Sequence, residues 1–175
     1  MGQNYGLELT FEQYLHNDLY FLLSSSVYNS TYKALDDKWR NTLFNSNYAF
    51  TFTAGKEFKT GAKFRNRIIG ANIKVVYAGG LRKTPIDIEK SIAEGTTYYF
   101  EDRAFSEQYP AYFRTDIRVS MKRNRPNATH ILSLDIQNVT NNKNIFGDYF
   151  NPISGKVKTY YQTPLIPVLA YRVEF

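Results

Sequence analysis

Residues 112–137 read YFRTDIRVSMKRNRPNATHILSLDIQ and predict two β-strands joined by a short turn. In the first half Phe113, Ile117 and Val119 alternate with polar residues, and in the second half Leu132 and Leu134 do the same. An alternation of period two places one set of side chains on each face of a strand. The intervening RNRPNA at 123–128 has the asparagine and proline residues typical of turns. This stretch therefore predicts an antiparallel hairpin with one apolar and one charged face.

The same alternation extends outward in both directions. Four further segments show it clearly: 7–11, 48–54, 69–77 and 165–175; a fifth strand is predicted at 19–32, which is rich in serine and tyrosine and whose faces are harder to assign. The six prolines avoid the strand centres, as a hydrogen-bonded ladder requires. The sequence therefore predicts an all-β fold, an antiparallel up-and-down meander of about seven strands. A short helix is predicted over 87–94, and a small hairpin around 152–155.

The connections between these strands alternate in length. Short or moderate connections are predicted at 16–18, 59–66 and 123–128, and longer or more charged ones at 33–40, 78–111 and 140–164. In a meander, alternate connections emerge on opposite rims, so we expect the long loops to lie together on one rim. This asymmetry is typical of a transmembrane β-barrel of the outer membrane.

Composition excludes several classes of protein. The chain has 175 residues, 15 Tyr, 13 Phe and no cysteine, so it has neither a disulfide framework nor a thiolate metal site. No apolar run approaches the roughly 20 residues that a membrane-spanning helix needs. The net charge of +6 is dispersed along the chain. Residues 1–175 are predicted to form one unit, with no linker, no plug domain and no secretory signal peptide.

The energy of charges in a bilayer assigns the two faces. A Lys or Arg on the lipid face at mid-bilayer costs about 2–4 kcal/mol, so the charged face is expected to border the lumen of the barrel. The predicted lumen-facing polar residues are Lys74, Arg114, Asp116, Arg118, Asp135 and Arg172. The predicted lipid-facing residues are Phe50, Phe52, Ile73, Val75, Ile117, Val119, Leu132, Leu134 and Ile136.

Two alternatives remain open from the residues alone. A soluble β-barrel or sandwich that binds an apolar ligand would show the same alternation, with the apolar stripe as its core. A nucleic-acid binder would bring basic and aromatic side chains together on one face. Here they segregate to opposite faces, which argues against nucleic acid as a partner.

Several stretches resemble the C-terminal barrel segment of a TonB-dependent outer-membrane receptor of the Bacteroidetes type. They are KWRNTLFNSNYAFTFTAGKEF (38–58), GLRKTPIDIEKS (80–91), AFSEQYPAYFRTDIRVS (104–120), THILSLDIQNVTN (129–141) and TYYQTPLIPVLAYRVEF (159–175). In this order and spacing they extend over most of the chain. The last segment also resembles the membrane-insertion signal that the barrel assembly machinery reads, here Leu169, Tyr171, Val173 and Phe175.

The resemblance implies a parent receptor with a barrel of about 22 strands and a plug in its lumen. Such receptors take up scarce nutrients, and the cargo implied is an iron complex, a vitamin, a glycan or a peptide. Because no plug or energy-coupling segment is recognised, the chain is expected to be a fragment of such a receptor. Its expected location is the cell outer membrane. Its expected partners are membrane lipid, the assembly machinery, the missing N-terminal strands and plug, and TonB only through the parent.

No catalytic, cofactor or metal site is predicted, and the chain is not expected to be an enzyme. His130 is predicted to lie on the strand face opposite Asp135 and Ser133, so these three residues do not form a catalytic device. The pairs 36–37 and 101–102 are predicted to be solvated loop charges. The aromatic residues of the longest loop are candidates for ligand contact or for loop packing: Tyr98, Tyr99, Phe100, Phe105 and Tyr109. Tyr20, Tyr48 and Tyr77 in the strands are candidates for interfacial girdles, but the ordinary β-propensity of tyrosine explains their positions equally well.

Overall fold

The computed structural model describes residues 1–59 and 67–175, and its fold is all-β. Seven long strands form one antiparallel sheet in which each strand pairs with the next long strand in the chain. They are β1 (Gly2–His16), β2 (Leu19–Lys33), β4 (Tyr48–Lys59), β5 (Arg67–Ala78), β8 (Tyr112–Asn124), β9 (Thr129–Gln137) and β12 (Ile166–Glu174). The short β3 (Trp39–Asn41) pairs with β2. The predicted meander is therefore confirmed, and its sheet is open, with β1 and β12 as edges.

The first hairpin shows how local sequence sets this pairing. Asn17 and Asp18 form a two-residue turn in which both have positive φ, 51° and 62°. A type I′ turn needs this conformation at both central residues, and asparagine and aspartate tolerate it better than most residues do. Its twist matches that of the strands, so β1 and β2 pair from His16 opposite Leu19 outward to Gly2 opposite Tyr32.

The register places the two predicted sets of side chains on opposite faces. Ile117 of β8 lies opposite Ile73 of β5 and Ile136 of β9, and Phe52 of β4 lies opposite Val75. Because direct partners in an antiparallel pair share a face, these residues form one continuous apolar face across the sheet. The residues between them form the polar face.

The long connections lie on one rim, as predicted. We call this the loop rim; it comprises residues 34–47, 79–111 and 138–165. The opposite turn rim has the short turns 17–18 and 125–128. The connection predicted at 59–66 lies outside the described residues except for Lys59. On the loop rim two further pairs of strands form, β6 (Arg82–Lys83) with β7 (Glu107–Gln108), and β10 (Ile145–Asn151) with β11 (Lys156–Tyr161).

Both small elements predicted within the loops are present. Helix α1 (Ile88–Glu94) begins after Asp87, whose Oδ1 accepts a hydrogen bond from the Lys90 amide at 3.0 Å. It ends at Gly95, which has a φ of 66°. The hairpin of β10 and β11 turns at residues 152–155, and Gly155 there has a φ of 63°. An N-cap and a left-handed glycine are strong local signals, which explains why the sequence predicted these elements.

The sheet has no apolar core. In the part of the chain that the structure describes, Phe150 on the loop rim is the one buried hydrophobic side chain, with 4% of its surface exposed. The other buried side chains are polar: Asn45, Ser46, Ser91, Thr115, Ser133, Asn138 and Asn144. No helix within residues 1–59 and 67–175 is both long and apolar enough to cross a membrane. Burial is thus inverted relative to that of a water-soluble domain.

Candidate functional site

The polar face carries a ladder of compensating charges across three strands. Arg114 Nε donates a 2.7 Å hydrogen bond to Asp116 Oδ1, and Arg118 lies 3.4 Å from Asp135. Lys74 of β5 lies opposite Asp116 in the register. The structure therefore brings together five of the six residues predicted to face the lumen. Opposite charges at cross-strand positions stabilise their pairing, so the ladder has a structural role in the sheet.

Hydrogen bonds to neighbouring groups fix this ladder in place. The amide of the buried Asn138 donates to Asp116 Oδ1 at 2.8 Å. The Arg118 guanidinium donates to Ser133 Oγ at 3.1 Å, and that of Arg114 donates to Gln137 Oε1 at 3.2 Å. The ladder borders an open groove of about 530 Å³ on this face. The groove presents fixed charges of both signs rather than a single unbalanced charge.

Arg172 does not belong to the ladder. It lies on the same face but opposite Ile131, near the turn rim. Its guanidinium pairs with Glu174 at 2.8 Å, and its side chain is mostly exposed. Alternation predicted the correct face of the sheet for Arg172. It does not predict at which level along the sheet Arg172 lies relative to the charges of the other strands.

The predicted lipid-facing residues all share the apolar face. Phe50, Phe52, Ile73, Val119, Leu132 and Leu134 are between 37 and 49% exposed, and Val75, Ile117 and Ile136 are half-buried. No element within the described residues covers these side chains. The predicted insertion-signal residues belong to the same side: Leu169, Tyr171 and Val173 of β12 lie opposite Leu134, Leu132 and His130. That this face borders lipid stays a prediction.

The structure places two of the three candidate girdle tyrosines on the apolar face and the third on the polar face. Tyr48 and Tyr77 lie together on the apolar face, with ring centroids 5.5 Å apart, near the loop rim. Tyr20 instead lies on the polar face, where its hydroxyl donates to Asn72 Oδ1 at 2.7 Å. Its ring crosses β4 at Gly55, where only glycine leaves room for it, because a Cβ would collide with the ring.

A second candidate site is a cavity of about 490 Å³ on the loop rim, which we call the loop-rim cavity. An ion pair forms part of its wall: Lys83 Nζ lies 2.9 Å from Asp148 Oδ2. Thr159 donates to Asp148 Oδ1 at 2.6 Å, and the Lys83 ammonium lies 4.7 Å above the ring of Tyr109. Further aromatic and aliphatic residues complete the lining: Leu43, Tyr99, Phe105, Phe146, Val157 and Tyr160. Aromatic walls with a few oriented polar groups are typical of ligand sites.

Two glycines position the walls of this cavity. A Cβ at Gly79 would collide with the carbonyl of Ser46, and one at Gly80 would collide with the carbonyl of Tyr109. The glycine pair therefore lets three backbone segments approach one another closely. The amides of Arg82 and Tyr109 then donate to the carbonyls of Leu43 and Leu81, each at 3.0 Å.

Buried asparagines stabilise the same loops. Asn45 is fully buried; its Oδ1 accepts from the Ser30 amide at 2.9 Å, and its Nδ2 donates to Asn29 and Asn41. Asn144 bonds both the amide and the carbonyl of Phe113, at 2.9 and 2.8 Å. A buried amide with satisfied hydrogen bonds orders the backbone around it. These hydrogen bonds therefore join the loops of the loop rim into one ordered surface.

The surroundings of Asp148 and Tyr109 in the cavity shift the pKa of each side chain away from neutral pH. Burial opposes ionisation of Asp148, but hydrogen bonds from Thr159 and Lys83 outweigh it and lower the pKa of that carboxyl. Burial, together with the negative charge of Asp148, raises the pKa of the Tyr109 phenol to about 12. Near neutral pH the cavity therefore offers a carboxylate, an ammonium and a protonated phenol.

The five loop aromatics have different positions. Tyr99, Phe105 and Tyr109 line the cavity, and their contact with a ligand stays a prediction. Tyr98 and Phe100 do not: Lys90 lies 4.5 Å above the Tyr98 ring, and Arg103 lies 5.7 Å above that of Phe100. Lys83, Asp148, Phe146 and Tyr160 were not predicted, since their pairing joins residues far apart in sequence. Phe146 and Asp148 are two residues apart in β10, so a strand places both on one face, and this spacing was the one available signal.

Two acidic residues and one histidine outside these two sites have structural partners. Asp36 accepts two hydrogen bonds from Arg40, at 2.8 and 2.6 Å, which hold the pKa of that carboxyl well below its usual range. Asp37 pairs with Lys33 at 2.7 Å. His130 Nδ1 lies 2.7 Å from the Tyr171 hydroxyl on the apolar face, away from Asp135 as predicted. Within the described residues, no three His, Asp or Glu side chains form a group that could hold a metal.

No protein-family model, characterised sequence or solved structure matches this chain. The features of the chain that bear on function are therefore the two faces of the sheet and the loop rim.

Proposed function

We propose that this chain forms part of the wall of an outer-membrane β-barrel of the TonB-dependent receptor type and contributes to nutrient uptake. The observation that carries the proposal is the uncovered apolar face of a seven-stranded antiparallel sheet. A water-soluble domain buries such a face against a second layer, whereas a membrane strand leaves it for lipid. Within the described residues the buried side chains, apart from Phe150 on the loop rim, are polar, and the apolar side chains of the sheet are exposed or half-buried in a continuous band.

Loop asymmetry supports the same proposal. Long connections on one rim and tight turns on the other match the extracellular and periplasmic ends of such a barrel. The loop-rim cavity would then lie at the extracellular side and contact cargo through Tyr99, Tyr109 and Phe146. The charge ladder would border the lumen and meet the plug of the parent receptor. TonB would act only through that parent, and the assembly machinery would read β12.

No observation favours the alternative of a soluble barrel or sandwich with an apolar ligand. Such a protein would hold its ligand against a sealed apolar interior. Over residues 1–59 and 67–175 the structure has no second sheet against the apolar face, and the band of Phe52, Val119 and Leu134 stays at least 39% exposed.

The absence of cysteine makes a direct test simple. The chain is reconstituted into phosphatidylcholine vesicles as single-cysteine variants Val119→Cys and Ser120→Cys, each labelled with bimane. A nitroxide on the lipid acyl chain should quench the label at 119, and iodide in water should quench the label at 120. Leu134→Cys and Asp135→Cys repeat the comparison on β9. Recovery of a monodisperse monomer without detergent, with no lipid quenching at 119 or 134, would contradict the proposal.

A further inference from the structure

Strand β1 is a long and unprotected edge of the sheet. It has 15 residues, and all of them except Gln13 are exposed; Leu7 reaches 84%. Exposed edges are usually blunted by lysine, proline or a bulge, because their free backbone groups recruit other strands. Gly2–His16 contains no lysine, arginine or proline, and its one register shift lies between Gln13 and His16, so residues 2–13 pair with β2 without a bulge. The other edge, β12, is shorter and contains Pro167.

The register shows which backbone groups of β1 are free. The backbone amine and carbonyl of Met1 both hydrogen-bond to Lys33, at 3.2 and 2.7 Å. Hydrogen-bonded pairs alternate along an antiparallel ladder, so odd-numbered residues of β1 bond to β2. The amides and carbonyls of Glu8, Thr10 and Glu12 therefore point to the outer edge. No strand within the described residues pairs with them.

The side chains of the same edge have a distinct pattern. Leu7, Leu9 and Phe11 continue the apolar face, and Glu8 and Glu12 lie on the polar face. Glu12 accepts a 2.8 Å hydrogen bond from the Tyr14 hydroxyl, and neither glutamate has a cationic partner within the described residues. Across β2 their neighbours are uncharged, Ser26 and Leu22. The edge thus presents two carboxylates four residues apart.

We propose that the outer edge of β1 binds an extended polypeptide segment that does not belong to residues 1–175 and that runs antiparallel to β1. That segment carries basic side chains opposite Glu8 and Glu12 and apolar side chains between them. Cross-strand pairs of opposite charge and a shared apolar face would both favour this register. The proposal extends the proposed function, in which this edge continues the barrel wall.

A second copy of the chain does not fit this edge. Antiparallel pairing of two β1 strands would bring one acidic strand against another, with no lysine or arginine on either. Within one chain β1 and β12 run in the same direction, because six antiparallel pairings separate them. If the loop rims of two copies lie on the same side, β1 of one copy would therefore pair with β12 of the other in parallel. Neither arrangement offers the charge complement that Glu8 and Glu12 require.

Two synthetic peptides test the inference on the full chain folded in detergent micelles. Fluorescent TVKVTVKVT places lysines opposite Glu8 and Glu12, and TVEVTVEVT reverses those charges. By anisotropy we expect TVKVTVKVT to bind about tenfold more tightly. The double variant Glu8→Lys with Glu12→Lys should reverse the preference. Thr10→Pro removes an outward amide and should abolish binding of both peptides, whereas the matched Thr10→Val should retain it.

Three outcomes would overturn the inference. The first is equal binding of both peptides, and the second is binding that survives Thr10→Pro. The third is a dimer in sedimentation velocity that Thr10→Pro abolishes, which would assign the edge to a second copy. Lipid quenching at Val119→Cys distinguishes these failures from failure of the proposed function. If quenching alternates normally while the peptides fail, only the edge inference is lost.

Discussion

At the scale of single residues, the contact of Tyr20 with Asn72 shows how the sheet is held across a strand. The Tyr20 ring passes over Gly55, and its hydroxyl donates to Asn72 Oδ1 two strands away. A Cβ at Gly55 would lie 2.5 Å from the ring and closer still to Asn72 Oδ1. Glycine here makes space for a neighbour rather than for an unusual φ.

Gly55→Ala should therefore destabilise the folded sheet. Overpacking of this kind costs about 1–3 kcal/mol, because the ring of Tyr20 has to move. The measurement is urea unfolding in detergent micelles, followed by the fluorescence of Trp39. Gly2→Ala is the control, since the nearest atom to a Cβ there is 3.9 Å away.

The double variant Gly55→Ala with Tyr20→Ala checks the cause. Removing the ring relieves the collision, so the two losses should be less than additive. Strictly additive losses would show that the ring of Tyr20 is not what Gly55 accommodates.

At the scale of elements, the sequence predicted what is local. Segments in which apolar and polar residues alternate, such as those that contain Phe50 and Ile117, form strands. Helix α1 forms because Asp87 and Gly95 cap it. The faces also follow, because alternation fixes each side chain relative to its neighbours. The loop-rim cavity could not be predicted, since Lys83 and Asp148 are 65 residues apart and meet only through the packing of loops. The face of Tyr20 could not be predicted, because alternation in the Ser- and Tyr-rich β2 does not separate the faces.

The hairpin of β10 and β11 is attached to the rest of the loop rim through Asp148. The lowered pKa of Asp148 means that its ionised form stabilises this attachment above the ordinary carboxyl pKa, about 3.9. The stabilisation is lost as pH falls through the lower pKa of the folded state. A bimane label on Ser154→Cys at the hairpin tip should therefore change its emission below about pH 4.

Asp148→Asn should remove this acid transition and weaken attachment at neutral pH by about 1.5 kcal/mol, since hydrogen bonds to a charged group are lost. The matched control is Glu107→Gln, because Glu107 is 3.8 Å from Lys83 and more exposed. That variant should keep the acid transition. An unchanged transition in Asp148→Asn would show that another group controls the hairpin.

At the scale of the whole molecule, the proposed membrane location makes the two faces energetically unequal. Phe52 and Thr51 are adjacent near the middle of β4, and they point to the apolar and the polar face, respectively. Phe52→Arg would place a charge in hydrocarbon, at a cost of about 2–4 kcal/mol. Thr51→Arg adds the same charge to the side that holds Lys74 and Asp116, where water and carboxylates solvate it. Folding yield into phosphatidylcholine vesicles, measured by protease protection, should fall sharply for Phe52→Arg and little for Thr51→Arg. In a water-soluble domain neither variant would depend on lipid, so equal yields with and without vesicles would refute a transmembrane wall.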